Sequence, residues 1–180
     1  MPRLNVVDPA TASGKAKELF DGPLKGKHLN IFKGLANNAS ILEGYLQFSG
    51  ALKGGRALSP AEHEVVALTV GQLNGCDYCL AAHTMLASGA GLDVDQTIKI
   101  RKGQADDDRH SALSKFVTAL VEKKGHIADT ELAEFKNAGF GDDAVVETIG
   151  AVAVNYLTNF FNHVNNTDVD GFFQPAPAID

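Results

Sequence analysis

A chain of 180 residues, 44% of them hydrophobic, has the apolar side chains for one core, so a single domain over 1–180 is expected. Its net charge of -6, from 22 acidic and 16 basic residues, lacks the clustered Lys and Arg excess that a phosphate backbone demands, and nucleic acid is not an expected partner. The start, MPRLNVVDPATASGKAKELF, has neither the basic nor the continuous apolar region of a signal peptide, and no run of about 18 apolar residues stands ready to span a bilayer; a cytoplasmic chain without a membrane partner is expected.

Aromatic residues are few (7%, no Trp), which suits a core of small and aliphatic side chains between close-packed helices. Alternating β-branched runs are scarce and helix-length segments separated by Gly, Pro and Asp dominate, so the fold class is all-α. In chain order, Thr11 to Phe20 reads as a short helix, DGPLKGKH as a loop and Leu29 to Asn37 as a second helix. Ser40 is the expected cap of a helix to about Leu52, followed by the break KGGRALSP. Ser59, Pro60 and Glu62 then form the signature of a capped start: N-cap, first helical position and capping-box partner. That helix ends at Asn74-Gly75, and the next runs from Cys76 or Asp77 to Ser88, closed by GAG. Shorter helices follow over Val94 to Lys102, Arg109 to Lys124 and Asp129 to Asn137, and the longest over Asp142 to about Asn165. The tail, TDVDGFFQPAPAID, has too much Pro and Gly for a helix, and Phe172 and Phe173 predict that it docks.

The chemistry concentrates in NGCDYCLAAH. Both cysteines of the chain are here, and on a helix Cys76, Cys79 and His83 stand at i, i+3 and i+7, on one face. Such a pair is within disulfide reach, the helix N-terminus favours a thiolate at Cys76, and His83 is one turn from Cys79, close enough to act as its base. In a reducing compartment a close cysteine pair points to redox or metal chemistry rather than a permanent staple. A closed zinc site lacks a fourth ligand, and a catalytic zinc would need three ligands of one helix around a single ion. Two inert buried thiols are a further alternative, which the flanking Asn74, Gly75 and Asp77 disfavour. Upstream, Glu64 lies among Val65, Val66, Ala67 and Leu68; the ordinary place of such a Glu is a solvated helix face, but two antiparallel helices turning at Asn74-Gly75 would bring it to His83.

The segment AEHEVVALTVGQLNGCDYCLAAHTMLASGAG resembles the core motif of the alkylhydroperoxidase AhpD-like proteins, within the carboxymuconolactone decarboxylase superfamily: a Glu, twelve positions, CxxC, then a His four after the second Cys. The likeness is strongest from Ser59 to Gly91, and it implies a catalytic core at about 40–125. It further implies a thiol-dependent peroxidase in which Cys79 attacks the peroxide, Cys76 resolves the sulfenic acid, and His83 with Glu64 relays protons. The implied partners are a small-molecule peroxide and a thiol reductant or dihydrolipoamide-type donor protein, with no cofactor and no metal. A family rich in trimers and larger rings, together with more apolar helix faces than one core absorbs, implies a homo-oligomer, a trimer or a multiple of one. The best-known member has His immediately before its second cysteine; here that residue is Tyr78. The alternatives are a lactone decarboxylase like the superfamily's namesake, which does not depend on the CxxC pair, and a non-enzymatic redox sensor.

One further pattern stands out. Asn155, Asn159, Asn162 and Asn166 form a polar row on the last helix, where Asn costs a few tenths of a kcal/mol each, ~0.5 or so relative to Ala. Interhelical hydrogen bonding or a solvated groove would explain it; so would a lining of the redox pocket, together with His163. His28, His110 and His126 have no partner at ligand spacing, and His63 is expected to face away from Glu64.

Overall fold

The computed structural model of the chain describes residues 1–179, and among these every regular element is helical. In order they are α1 (Gly14–Asp21), α2 (Asn30–Leu35), a 3-10 turn (Ala36–Asn38), α3 (Ala39–Gly54), α4 (Pro60–Asn74), α5 (Asp77–Gly89), α6 (Val94–Arg101), α7 (Asp108–Glu122), α8 (Asp129–Asn137) and α9 (Asp142–Asn165). The all-α expectation holds, and so do the last two helices as read from sequence.

Two starts differ. The first helix begins at Gly14 rather than Thr11, because Thr11 and Ala12 are held in a turn by backbone bonds to the Asp8 carbonyl. The cap of α3 is Asn38, whose Oδ1 accepts from the Ile41 N–H at 3.3 Å; Ser40 already lies inside the helix. Asn and Ser are comparable caps, and the 3-10 turn decides which of them is in extended conformation.

The central element is α4. Its start is the one the sequence encodes: Ser59 Oγ accepts from the Glu62 N–H at 3.2 Å, and the Ser59 N–H donates to Glu62 Oε2 at 2.6 Å. From Val65 to Gly71 every residue is buried, as expected of a helix apolar all round and packed between α5, α7 and α9. Gly75 then takes a left-handed conformation, φ 64°, which lets the chain reverse at once into α5. Gly71 permits the close approach of that hairpin, since a Cβ there would meet Leu80 at 3.3 Å.

Two clusters of buried side chains flank this hairpin. One joins α4, α7, α8 and α9; it is mostly small and aliphatic as expected, with one aromatic stack in which Phe116, Phe135 and Phe140 lie face to face with centroids 4.1 and 4.3 Å apart. The other gathers Leu19, Phe20, Ile31, Leu35 and Leu42 with both cysteines, Tyr78 and Phe173. The tail docks as expected through Phe173, whereas Phe172 stays exposed.

Candidate active site around the cysteine pair

Cys76 and Cys79 are joined by a disulfide, with Cα atoms 5.3 Å apart. Cys76 is the N-cap of α5, its sulfur accepting from the Cys79 N–H at 3.4 Å, so the pair occupies the first turn where unpaired N–H groups concentrate. Both cysteines are buried, Cys76 at 1% and Cys79 at 3% exposure. The reason is α9, which lies over both sulfurs. Asn159 Nδ2 donates to Cys79 Sγ at 3.0 Å, and Asn162 Nδ2 reaches Cys79 Sγ at 3.3 Å and Cys76 Sγ at 3.9 Å.

Access separates the two sulfurs more sharply than exposure does. A cavity of about 510 Å³ is lined by Cys79 and not by Cys76. Glu64 and His83 stand in its wall, with His83 Nδ1 donating to Glu64 Oε2 at 2.7 Å. The helical hairpin therefore does bring Glu64 to His83, and the Glu is turned inward rather than solvated. Among the described residues neither sulfur is hydrogen-bonded by a histidine; both are held by asparagine amides.

The remaining walls come from α2, α3, α9 and the tail, and are largely apolar: Ile31, Phe32, Leu52, Val154 and Phe173 are examples. Tyr45 also lines the cavity, and burial pushes its phenol above the ordinary value, with the Ser49 hydroxyl opposing. His63, expected on another helix face than Glu64, lines the same cavity but has its own partner: its Nε2 pairs with Glu147 at 2.9 Å. His63 and Glu64, adjacent on α4, thus line one cavity while belonging to two separate His–carboxylate pairs. Sequence spacing gave no sign of the second, because Glu147 lies 84 residues away on α9.

Tyr78 is occupied elsewhere. Its hydroxyl donates to Asp170 Oδ2 at 2.6 Å, and Asp170 also accepts the Asn30 N–H at 3.1 and 3.2 Å. Burial, and then the Asp170 carboxylate, push the Tyr78 phenol upward, so it remains a neutral donor.

The asparagine row splits. Asn159 and Asn162 hold the sulfurs, and Asn155 spends its amide on the Ala151 carbonyl at 2.9 Å. Asn166 is exposed and closes α9 in left-handed conformation, while Asn165 is the buried neighbour, bonded to Leu4 and Thr167. His163 is exposed and outside the cavity lining. His28 caps the Phe20 carbonyl and His110 pairs with Asp107, at a distance from the cysteines in the chain. Among the described residues no group of three His, Cys, Asp or Glu side chains is placed to hold a metal ion.

Residues 39–122 match the model of the carboxymuconolactone decarboxylase family. No functionally curated protein matches the chain in sequence. Among solved structures, the fold is similar to an uncharacterized peroxidase-related protein with an alkylhydroperoxidase AhpD core from Ralstonia eutropha JMP134, at 16% identity and TM-score 0.85 over 94% of this chain and 93% of that one. A peroxidase-related protein from Silicibacter sp. TM1040 is 20% identical with TM-score 0.83, covering 95% of this chain and 92% of that one. The debrominase Bmp8 in complex with 2,3,4-tribromopyrrole shares the fold at 14% identity and TM-score 0.76, over 95% of each chain.

Proposed function

We propose that this chain, which matches the carboxymuconolactone decarboxylase family over residues 39–122 and shares the fold of AhpD-core proteins, is a thiol-dependent peroxidase that reduces hydrogen peroxide or an alkyl hydroperoxide through a Cys76–Cys79 dithiol and disulfide cycle. One observation carries the reading: the cavity that holds the Glu64–His83 pair opens onto Cys79 and leaves Cys76 behind it.

In the reduced protein the Cys79 proton passes to His83, which Glu64 orients and stabilises as it becomes charged. The ring does not touch the sulfur directly, so the transfer runs through solvent admitted to the cavity. The Cys79 thiolate attacks the terminal oxygen of the peroxide; the S–O bond forms, the O–O bond breaks, and the departing alkoxide takes the proton held by His83. Cys76, three residues away, attacks the sulfenic sulfur, expelling water and closing the disulfide. Two thiols of a reductant then restore the dithiol and leave as their own disulfide. Because both sulfurs are buried, the reductant enters by the cavity and attacks at Cys79, which favours a slender dithiol of the dihydrolipoamide type.

The test is rapid-mixing reaction of the reduced protein with hydrogen peroxide and cumene hydroperoxide. Cys76→Ser is expected to form a dimedone-trappable sulfenic acid at Cys79 without turning over, and Cys79→Ser to form little adduct. Glu64→Gln and His83→Ala should slow trapping by about a hundredfold, the usual worth of general base catalysis. An adduct on Cys76, indifferent to Glu64 and His83, overturns the assignment.

A further inference from the structure

Asn162 holds a position that no other polar residue of the site shares. It is 4% exposed, it lines the cavity, and its Nδ2 lies 3.3 Å from Cys79 Sγ. Its Oδ1 is buried and, among the described residues, has no hydrogen-bond donor. Buried polar atoms are nearly always satisfied, so an orphaned acceptor beside a reactive sulfur asks for a ligand. The sulfur fixes which end of the amide is which: turned over, the carbonyl would face the lone pairs of Cys79 and the N–H bonds would be lost. Asn159 makes the contrast, since its Nδ2 also donates to Cys79 but its Oδ1 is taken by Asn74 Nδ2 at 3.0 Å and it does not line the cavity. Asn155 lines the cavity but does not reach sulfur.

We infer that Asn162 is a further catalytic residue of the peroxidase reading above, on which this rests: its amide nitrogen holds the Cys79 thiolate while its Oδ1 accepts the O–H of the incoming hydroperoxide. A hydroperoxide carries its only acidic hydrogen on the terminal oxygen, the one a thiolate attacks. Accepting that hydrogen bond beside the sulfur turns the terminal oxygen towards Cys79 and leaves the organic group to the apolar wall. During the step Asn162 neither gains nor loses a proton. The S–O bond forms, the O–O bond breaks with its electron pair on the alkoxide, and that oxygen takes the proton from His83. Asn159, with Asn74 fixing its amide, contributes to the thiolate but not to the substrate.

The inference separates substrates that carry the O–H from electrophiles that do not. In reduced Cys76→Ser protein, the ultraviolet absorbance of the thiolate gives the Cys79 pKa, and single-turnover rates are followed with cumene hydroperoxide and with iodoacetamide across pH. Asn159→Ala should raise the Cys79 pKa and, once the thiolate is fully formed, change its rates with the two reagents by the same factor. Asn162→Ala, and Asn162→Leu as the variant that keeps the volume, should raise the pKa as well. At that same high pH they should react with the hydroperoxide about tenfold more slowly, the worth of one hydrogen bond, while alkylation is unchanged. Equal behaviour of the two reagents in both Asn162 variants, with an active parent, overturns the inference and leaves the peroxidase reading standing. A parent that alkylates but does not react with either peroxide overturns the peroxidase reading and the substrate half of the inference together.

Discussion

The Tyr78 hydroxyl donates a 2.6 Å hydrogen bond to Asp170 Oδ2, tying one of the two residues between the cysteines to the tail 92 positions further on. Phe173 sits edge-on against the same ring with centroids 6.0 Å apart, and both rings line the cavity beside Cys79. The residue just before Cys79 is thus a structural anchor of the tail.

Tyr78→Phe removes the donor from a buried pair and leaves Asp170 with the Asn30 N–H alone. Loss of about 1–2 kcal/mol of stability is expected, read as a fall in the denaturant midpoint. Asp170→Ala strips both partners at once and should cost more, with faster proteolytic cleavage within residues 167–179. Equal cleavage rates in Asp170→Ala and the parent would mean that Phe173 and the bonds of Arg101 and Asn30 to tail carbonyls hold the tail without Asp170.

What was legible in the sequence was local. The capping box of α4, the left-handed Gly75 and the helical spacing of Cys76, Cys79 and His83 are set by residues within a turn of one another, and two antiparallel helices then place Glu64 on His83 by geometry alone. The asparagine row was visible as a costly pattern, but which of its members reach sulfur depends on how α9 crosses α5. Three features were out of reach: the deep burial of Cys76, the His63–Glu147 pair and the Tyr78–Asp170 anchor. Each is made by partners about 80 to 90 residues apart, whose meeting no periodicity encodes. The aromatic stack within an otherwise aliphatic core was out of reach for the same reason, since three phenylalanines scattered over α7, α8 and the turn before α9 converge.

The outer face of α9 bears on assembly. Val146, Ile149, Leu157, Phe160 and Val164 are exposed at helical spacing, on the side away from the asparagines that hold the sulfurs. No unbroken apolar run spans α9, but its mean hydropathy reaches 1.2 over 18 residues while its inner face packs on α3 and α4. A homo-oligomer that buries this row, a trimer or a multiple of one, is the expected outcome, measured by light scattering against the 19.0 kDa of one chain. Val146→Glu combined with Phe160→Glu should shift the mass towards the single chain. A parent of monomeric mass removes the expectation, and co-sedimentation of that monomer with lipid vesicles would give the face to a bilayer instead.

The acid side of the stability profile should be governed in part by Glu62, which closes the capping box of α4 and pairs with the Nε of Arg109. Burial by itself would raise the Glu62 pKa; the Ser59 N–H and the Arg109 guanidinium outweigh it and hold the carboxyl below its ordinary value. A group depressed in the folded state favours folding above its unfolded pKa, and that contribution fades as the pH falls through the folded pKa. Arg109 in turn lies over the Phe140 ring at 3.8 Å and donates to the Gly139 carbonyl at 3.0 Å, so the pair fastens the start of α4 to α7 and to the turn before α9. Glu62→Gln keeps the shape and loses the charge; a cost of about 1–3 kcal/mol at neutral pH is expected, shrinking as the solution is acidified. Arg109→Lys should also destabilise, because an ammonium keeps the charge but not the planar fork that serves carboxylate, ring and carbonyl together. Thermal unfolding of the parent and both variants across the acidic range checks this, and a Glu62→Gln deficit that stays constant down to strongly acidic pH would mean that packing, not the ionised pair, accounts for the loss.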